Sequence, residues 1–198
     1  MKNVISLLVI IILSIGCTAT KKATNETKAI DNIKSDFTTY LSAIKDRDFK
    51  KSVEYMLPDF FDLIPKEELI KVMEETFNNP NMDFEIKDSK ILSVSDIEKI
   101  EEKFYSKLRY SSNMSIKMNT EEALTDENKE MTLNLFKLNF GSENVSYDEQ
   151  TAKYQINSEQ NAISISENGI NSWKFLVVEE KQRAILEQFI PKKILDSI

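Results

Sequence analysis

The apolar residues of this chain change their period once, at residues 78–81 ("NNPN"), and that change restricts the fold more than any other feature. Before it, Ile30, Ile33, Phe37, Leu41 and Ile44 recur at three- and four-residue spacing, which predicts an amphipathic helix over 29–47. Asp48 is placed to cap a second short helix through Phe49, Val53 and Met56, ending before Pro58. The run 59–64 ("DFFDLI") is fit for one short strand. Pro65 opens a third helix, where Glu67 and Glu68 suit the positive helix start and Leu69, Met73 and Phe77 share a face.

After residue 81 the period falls to two. Met82, Phe84 and Ile86 alternate with polar residues, and Ile91, Leu92 and Val94 form a second short run. The mixed-sign "DIEKIEEK" reads as a solvated loop or turn. Phe104, Ser106, Leu108 and Tyr110 alternate, as do Met114, Ile116 and Met118, with "YSSNMS" between them either a bend in one strand or a turn. Thr125 or Asp126 caps a helix carrying Met131, Leu135 and Leu138, stopped by Gly141. Three strands follow, near 154–157, 162–166 and 173–178. A last helix carries Ile185, Leu186 and Phe189 and breaks at Pro191. Helices first and antiparallel strands after predict an α+β fold: a strongly bent antiparallel sheet with N-terminal helices on one face, an extra inserted helix and a C-terminal helix.

The amino terminus carries a different signal. Lys2 and Asn3 precede an apolar run of about 12 residues, roughly 18 Å as a helix and short of a ~30 Å hydrocarbon core. A basic head and a short apolar run ending in small residues read as a secretion signal. The end of that run resembles the lipobox of bacterial lipoproteins: Leu13, Ser14, Ile15 and Gly16 precede Cys17, the only cysteine, and polar residues follow. Ser14 stands where leucine is usual. The resemblance implies that residues 1–16 are a leader, that Cys17 receives a diacylglyceryl group, and that the mature chain starts there. Residues 17–28 ("CTATKKATNETK") then read as a lipidated flexible tether, and 29–198 as a single domain. The acidic pair expected after the cysteine of some surface-export signals is missing, which favours an outer-membrane anchor facing the periplasm.

The helices 29–77 followed by strands also resemble the nuclear-transport-factor-2-like domains, also called cystatin-like α+β. "MLPDFFDLIPKEELIKVMEETF" and the closing "SWKFL" carry the likeness. It implies a cone-shaped sheet, and with it a concave apolar pocket. Some enzymes of that fold, the ketosteroid isomerases among them, pair an aspartate base with tyrosine donors in such a pocket. Asp62 and Tyr40 are the corresponding candidates in this chain. Both have a bland alternative, Asp62 in solvent and Tyr40 packed in the core.

Composition removes much other chemistry. The chain has no histidine, which excludes histidine-based nucleophilic triads and the usual imidazole base. Without histidine, and with Cys17 acylated, a zinc site lacks its usual ligands. Three glycines, one in the leader, make neither a dinucleotide fingerprint nor a P-loop. Ser42 and Lys45 spell S-x-x-K inside an amphipathic helix, without the partner motifs of lactamase-like enzymes. No metal and no cofactor is expected. The formal charge is −7, and loss of Lys2 with the leader makes it −8, so a nucleic-acid partner is excluded. Three functions remain open: a membrane-anchored binding module for a small apolar ligand or an envelope protein, an Asp/Tyr-dependent isomerase or lyase, and a structural or interaction module with a filled core. The sequence leaves the oligomeric state undetermined.

Overall fold

The computed structural model describes residues 16–198, with side chains from Asn25 onward except that of Glu180. Most of the expected leader therefore lies outside the described residues. Helix α1 (Gly16–Lys45) carries the predicted stripe, with Ala29, Ile33, Phe37, Tyr40 and Ala43 buried. It begins well before residue 29, so the segment read as a flexible tether is helical in its backbone. Among the described side chains of that stretch Asn25, Thr27 and Lys28 are exposed, and burial starts at Ala29.

Helix α2 (Phe49–Val53) is capped by Asp48, whose Oδ1 accepts the Lys51 N–H at 3.1 Å. Residues 59–64 do not form the expected strand. Pro58–Asp62 is a 3-10 helix, and the backbone pairing falls one step earlier: the Leu57 N–H donates to the Phe175 carbonyl at 3.2 Å and the Phe175 N–H to the Tyr55 carbonyl at 2.8 Å. Proline at the first position and consecutive aromatics suit a tight turn better than a ladder. Helix α3 (Lys66–Phe77) follows Pro65 as expected.

The remainder is an antiparallel sheet that does not close on itself. Its strands are β1 (Met82–Val94), β2 (Glu98–Ile100), β3 (Lys103–Met118), β4 (Val145–Asp148), β5 (Lys153–Ser166) and β6 (Lys174–Val178). The path runs β1-β3-β5-β4, with β2 also on β3 and β6 also on β5. Three expectations change. The two runs of 82–94 form one strand, bent by register shifts between Ile86 and Asp88 and between Ile91 and Ser93. The two runs of 154–166 lie inside continuous β5, and of the two courses open to "YSSNMS" it takes the one inside a single strand, β3, because each strand's serine- and asparagine-rich middle is paired with the other's. "DIEKIEEK" is not a loop throughout: Glu98–Ile100 pairs with Lys103–Tyr105, and Glu101 (φ 54°) makes the hairpin turn.

Side chains alternate across this sheet, and each face meets a different part of the chain. Leu108, Tyr110, Ala162 and Phe175 pack with α1. Further along the same register, Ile116, Tyr154 and Ile156 pack with Leu133, Phe136 and Phe140 of helix α4 (Asp126–Phe140). Tyr105, Ile163, Ile165 and Leu176 point the other way and meet Leu186, Ile190, Ile194 and Leu195 of the carboxyl-terminal segment, which contains α5 (Arg183–Leu186) and α6 (Lys192–Leu195). The last helix is thus two short pieces on the opposite face of the sheet, not a lid on the α1 side.

Gly169 (φ +68°) makes the turn before β6, and a Cβ there would lie 2.6 Å from the Phe104 ring. That turn holds Trp173, 1% exposed, whose backbone N–H donates to Asp36 Oδ2 at 3.2 Å. Among the described residues one buried hydroxyl is orphaned: Ser164 Oγ, on a fully buried residue of β5, has no hydrogen-bond partner. Ser164→Ala is therefore expected to leave unfolding free energy unchanged or raise it by about 1 kcal/mol, since a buried unmet hydroxyl costs ~1–3 kcal/mol. Urea denaturation checks this; a loss above about 1 kcal/mol would mean that the hydroxyl has a partner after all.

Candidate functional site

The two carboxylate-chemistry candidates are not brought together. Tyr40 is buried on α1, its ring centroid 5.6 Å from that of Phe37 and 6.1 Å from that of Phe175. Burial pushes its hydroxyl pKa up to about 12. Asp62 is exposed at the end of the 3-10 helix. Its neighbour Phe60 packs toward Phe189 of the carboxyl-terminal segment, ring centroids 6.1 Å apart. Tyr40 and Phe60 thus belong to packing groups on opposite faces of the sheet. The space between α1 and the sheet is filled by aromatic rings, with Phe37 against Tyr110 at 5.0 Å and against Phe175 at 4.9 Å. Cys17 lies in the first turn of α1.

Openings lie elsewhere. Strand β5 is paired with β3 along its length, but its other edge is shared. β4 covers Lys153–Ile156 and β6 covers Asn161–Ile165, so on this edge no described strand lies beside 157–160. The gap follows from the chain path: β6 turns away at Val178 toward α5, and β4 enters from α4 through Gly141 (φ +93°) and the 3-10 turn Ser142–Asn144. Four residues of open edge span about 13 Å at ~3.3 Å per residue. A cleft of about 550 Å3 opens there, lined by the end of α4 (Asn139, Phe140), by Glu143 and Asn144, by the β5 edge, and by Glu179.

Its polar groups are already partly engaged. Tyr110 donates its hydroxyl to Gln160 Oε1 at 2.6 Å, and Gln160 Nε2 donates to Glu179 Oε1 at 3.3 Å. Burial, then the neighbouring Tyr40 and Glu179, raise the Tyr110 pKa well above the ordinary tyrosine value, so it stays a neutral donor. Glu159 accepts from Arg109 Nε at 3.1 Å and from its Nη2. The cleft can hydrogen-bond a polar chain. Among the described residues no cluster of three or more aspartates, glutamates or cysteines could hold a metal ion.

The second surface is the outer face of α4. Met131, Leu135 and Leu138 form its expected apolar stripe, but they are 55%, 51% and 83% exposed. The face turned to the sheet is instead Leu133, Phe136 and Phe140, each half-buried, with the Phe136 and Tyr154 rings 5.2 Å apart. Both stripes have helical spacing, and the aromatic content of the second was the available sign that it faces the core. An open apolar depression of about 560 Å3 lies along the exposed stripe, bordered by Glu127, Glu130 and Asn134.

No protein-family model matches this chain, and a search among curated proteins finds no match. Among the described residues no helix is long and apolar enough to cross a membrane.

Proposed function

We propose that this chain is a membrane-anchored envelope lipoprotein whose folded domain is a non-enzymatic module for binding protein. The observation that carries the second half is the filled interior. Phe37, Tyr40, Tyr110, Trp173 and Phe175 occupy the volume where a cone of the nuclear-transport-factor-2-like kind would hold a small apolar ligand. Two of the clefts that open on the surface, one polar at a sheet edge and one apolar on α4, suit a polypeptide partner. The isomerase alternative loses its support because Asp62 is in solvent and Tyr40 is walled in.

The anchor rests on the lipobox resemblance at Cys17, with the outer membrane facing the periplasm as the favoured location. The helical backbone of residues 16–28 adds to it. Between Cys17 and Ala29 such a helix reaches about 18 Å at ~1.5 Å per residue, enough to hold the domain off the headgroups. The order of three helices before a bent antiparallel sheet supports the nuclear-transport-factor-2-like reading, while the 3-10 helix in place of a first strand departs from it.

Native mass spectrometry of the purified protein tests the binding mode. The expected spectrum carries polypeptide and N-terminal acyl mass only. A stoichiometric small apolar adduct released on unfolding would overturn the filled-core reading.

A further inference from the structure

The gap on the β5 edge has a defined hydrogen-bonding face. In β6, Phe175 spends its backbone N–H and C=O on Tyr55 and Leu57, so its neighbours Lys174, Leu176 and Val178 turn their main chain to β5. Their partners there are Ile165, Ile163 and Asn161, and the register of β5 on β3 runs unbroken from Tyr154 to Ser166. The same alternation turns the main chain of Asn157 and Glu159 toward the gap. No described strand or loop supplies a partner for the backbone N–H and C=O of Glu159. The outer strand β1, by contrast, is broken by two register shifts and carries Lys87 and Lys90, features that discourage a further strand.

The side chains around the gap add a second requirement. Even-numbered residues of β5 face α1 and α4, and Ser158 stands between Ile156 of the α4 cluster and Ala162 of the α1 cluster. It is 6% exposed and lines the cleft, and its hydroxyl has no hydrogen-bond partner among the described residues. Three carboxylates line the same cleft, and among the described residues no lysine or arginine does. Arg109 neutralises Glu159, and Lys181 reaches the rim at Asn139. Glu143 and Glu179 have no ion pair among the described residues, and Gln160 engages only Oε1 of Glu179.

We propose that the open edge of β5 takes an extended, basic polypeptide segment, which adds a short strand opposite Glu159 and sets lysine or arginine side chains beside Glu143 and Glu179. This rests on the reading of the domain as a protein-binding module and names the class of partner at this site. A residue opposite Glu159 exchanges two backbone hydrogen bonds with it, as an added strand does. Its two neighbours then turn their side chains to the face of Ser158 and Gln160, where Gln160 meets Glu179. From the position of Ile156 to that of Asn161 the edge spans about 16 Å at ~3.3 Å per residue, room for a three-residue strand between β4 and β6. A neutral glycan supplies neither the ladder nor the charge.

Amide hydrogen exchange of the full chain in detergent, followed at residues 157–160, tests it with the end-blocked peptide Thr-Lys-Val-Lys-Thr as probe. So few ladder bonds give a Kd of about 0.5 mM, and at about 5 mM peptide the Glu159 amide should exchange ~10-fold more slowly by mass action. The same peptide with both lysines replaced by glutamate, or with its valine nitrogen methylated, should protect nothing. Glu143→Lys combined with Glu179→Lys should weaken the lysine peptide at least ~5-fold. Both side chains are exposed, so folding should persist, with unchanged Trp173 emission as the check. Absence of protection by the lysine peptide overturns the proposal, as does equal protection by the glutamate or methylated peptide, or an unchanged affinity in the double variant. Equal protection by N-acetyl-lysine amide or by chitotriose would make the occupant a lone cation or a glycan and overturn it too. So would protection without peptide that grows with protein concentration, the mark of a second copy. A small apolar adduct in the native mass spectrum would count against the binding-module reading and leave the exchange result independent of it.

Discussion

Phe37→Ala is expected to lower the unfolding free energy by about 3–5 kcal/mol, the range found for removing a fully buried phenylalanine. Phe37 is 0% exposed and sits where α1 crosses the sheet. Its ring meets three others, Tyr40, Tyr110 and Phe175, at centroid distances from 4.9 to 5.6 Å. Truncation loses the transfer free energy of the ring, leaves a cavity bounded by rigid side chains, and removes edge-to-face contacts worth ~0.5–1.5 kcal/mol per pair. The neighbours can collapse little, because Phe175 is held in β6 and Tyr110 in the central strand β3. Against a typical total of ~5–15 kcal/mol, such a loss brings the domain close to its unfolding threshold. Urea denaturation followed by Trp173 emission measures it, the single tryptophan being buried in the same cluster. Val72→Ala, at a half-exposed position of α3, is the control and should stay within ~0.5 kcal/mol. A cost below about 1 kcal/mol for Phe37→Ala would mean that α1 is not docked by this face, and the filled-core argument would fail with it.

Cys17→Ser should release the protein from membranes. Each buried CH2 of an acyl chain contributes ~0.8 kcal/mol, so one chain holds marginally and two or three hold firmly. Serine receives no thioether-linked lipid, and all of that contribution is lost together. The folded domain offers little in compensation: the chain carries a net charge of −7, and no described helix can span a bilayer. Detergent phase separation should place the wild type in the detergent-rich layer and the variant in the aqueous one. Mass spectrometry of the wild-type amino-terminal peptide should find Cys17 as its first residue, carrying the acyl mass. An unmodified wild-type cysteine, or a variant that stays with the membrane, would remove the anchor from the proposed function.

How far the sequence led differs between the fold and the site. The α1 stripe, the Asp48 cap and the start of α3 after Pro65 were legible because local spacing and capping chemistry determine them. The continuity of β5 was not, and that of β3 was only one of two courses open to it. Residues 111–113 and 157–158 are serines and asparagines, which read as turns in isolation; in the sheet they pair with one another across strands. The run 59–64 misled for the opposite reason, since a short apolar run fits a tight turn as well as a strand. Asp62 and Tyr40 were brought together only by the resemblance to a fold family. Nothing in their spacing required them to meet, and they do not.

By itself, the amino-acid sequence determined the α+β class, with the amino-terminal helices ahead of the sheet, and the absence of imidazole chemistry, because period, capping and residue type act over a few neighbouring residues. Tertiary structure alone decided that the space under α1 is filled, that β5 keeps an open edge at 157–160, and that Met131, Leu135 and Leu138 face outward. A helix with two apolar stripes can bury either, and the choice falls to the one whose aromatic side chains fit the opposing sheet.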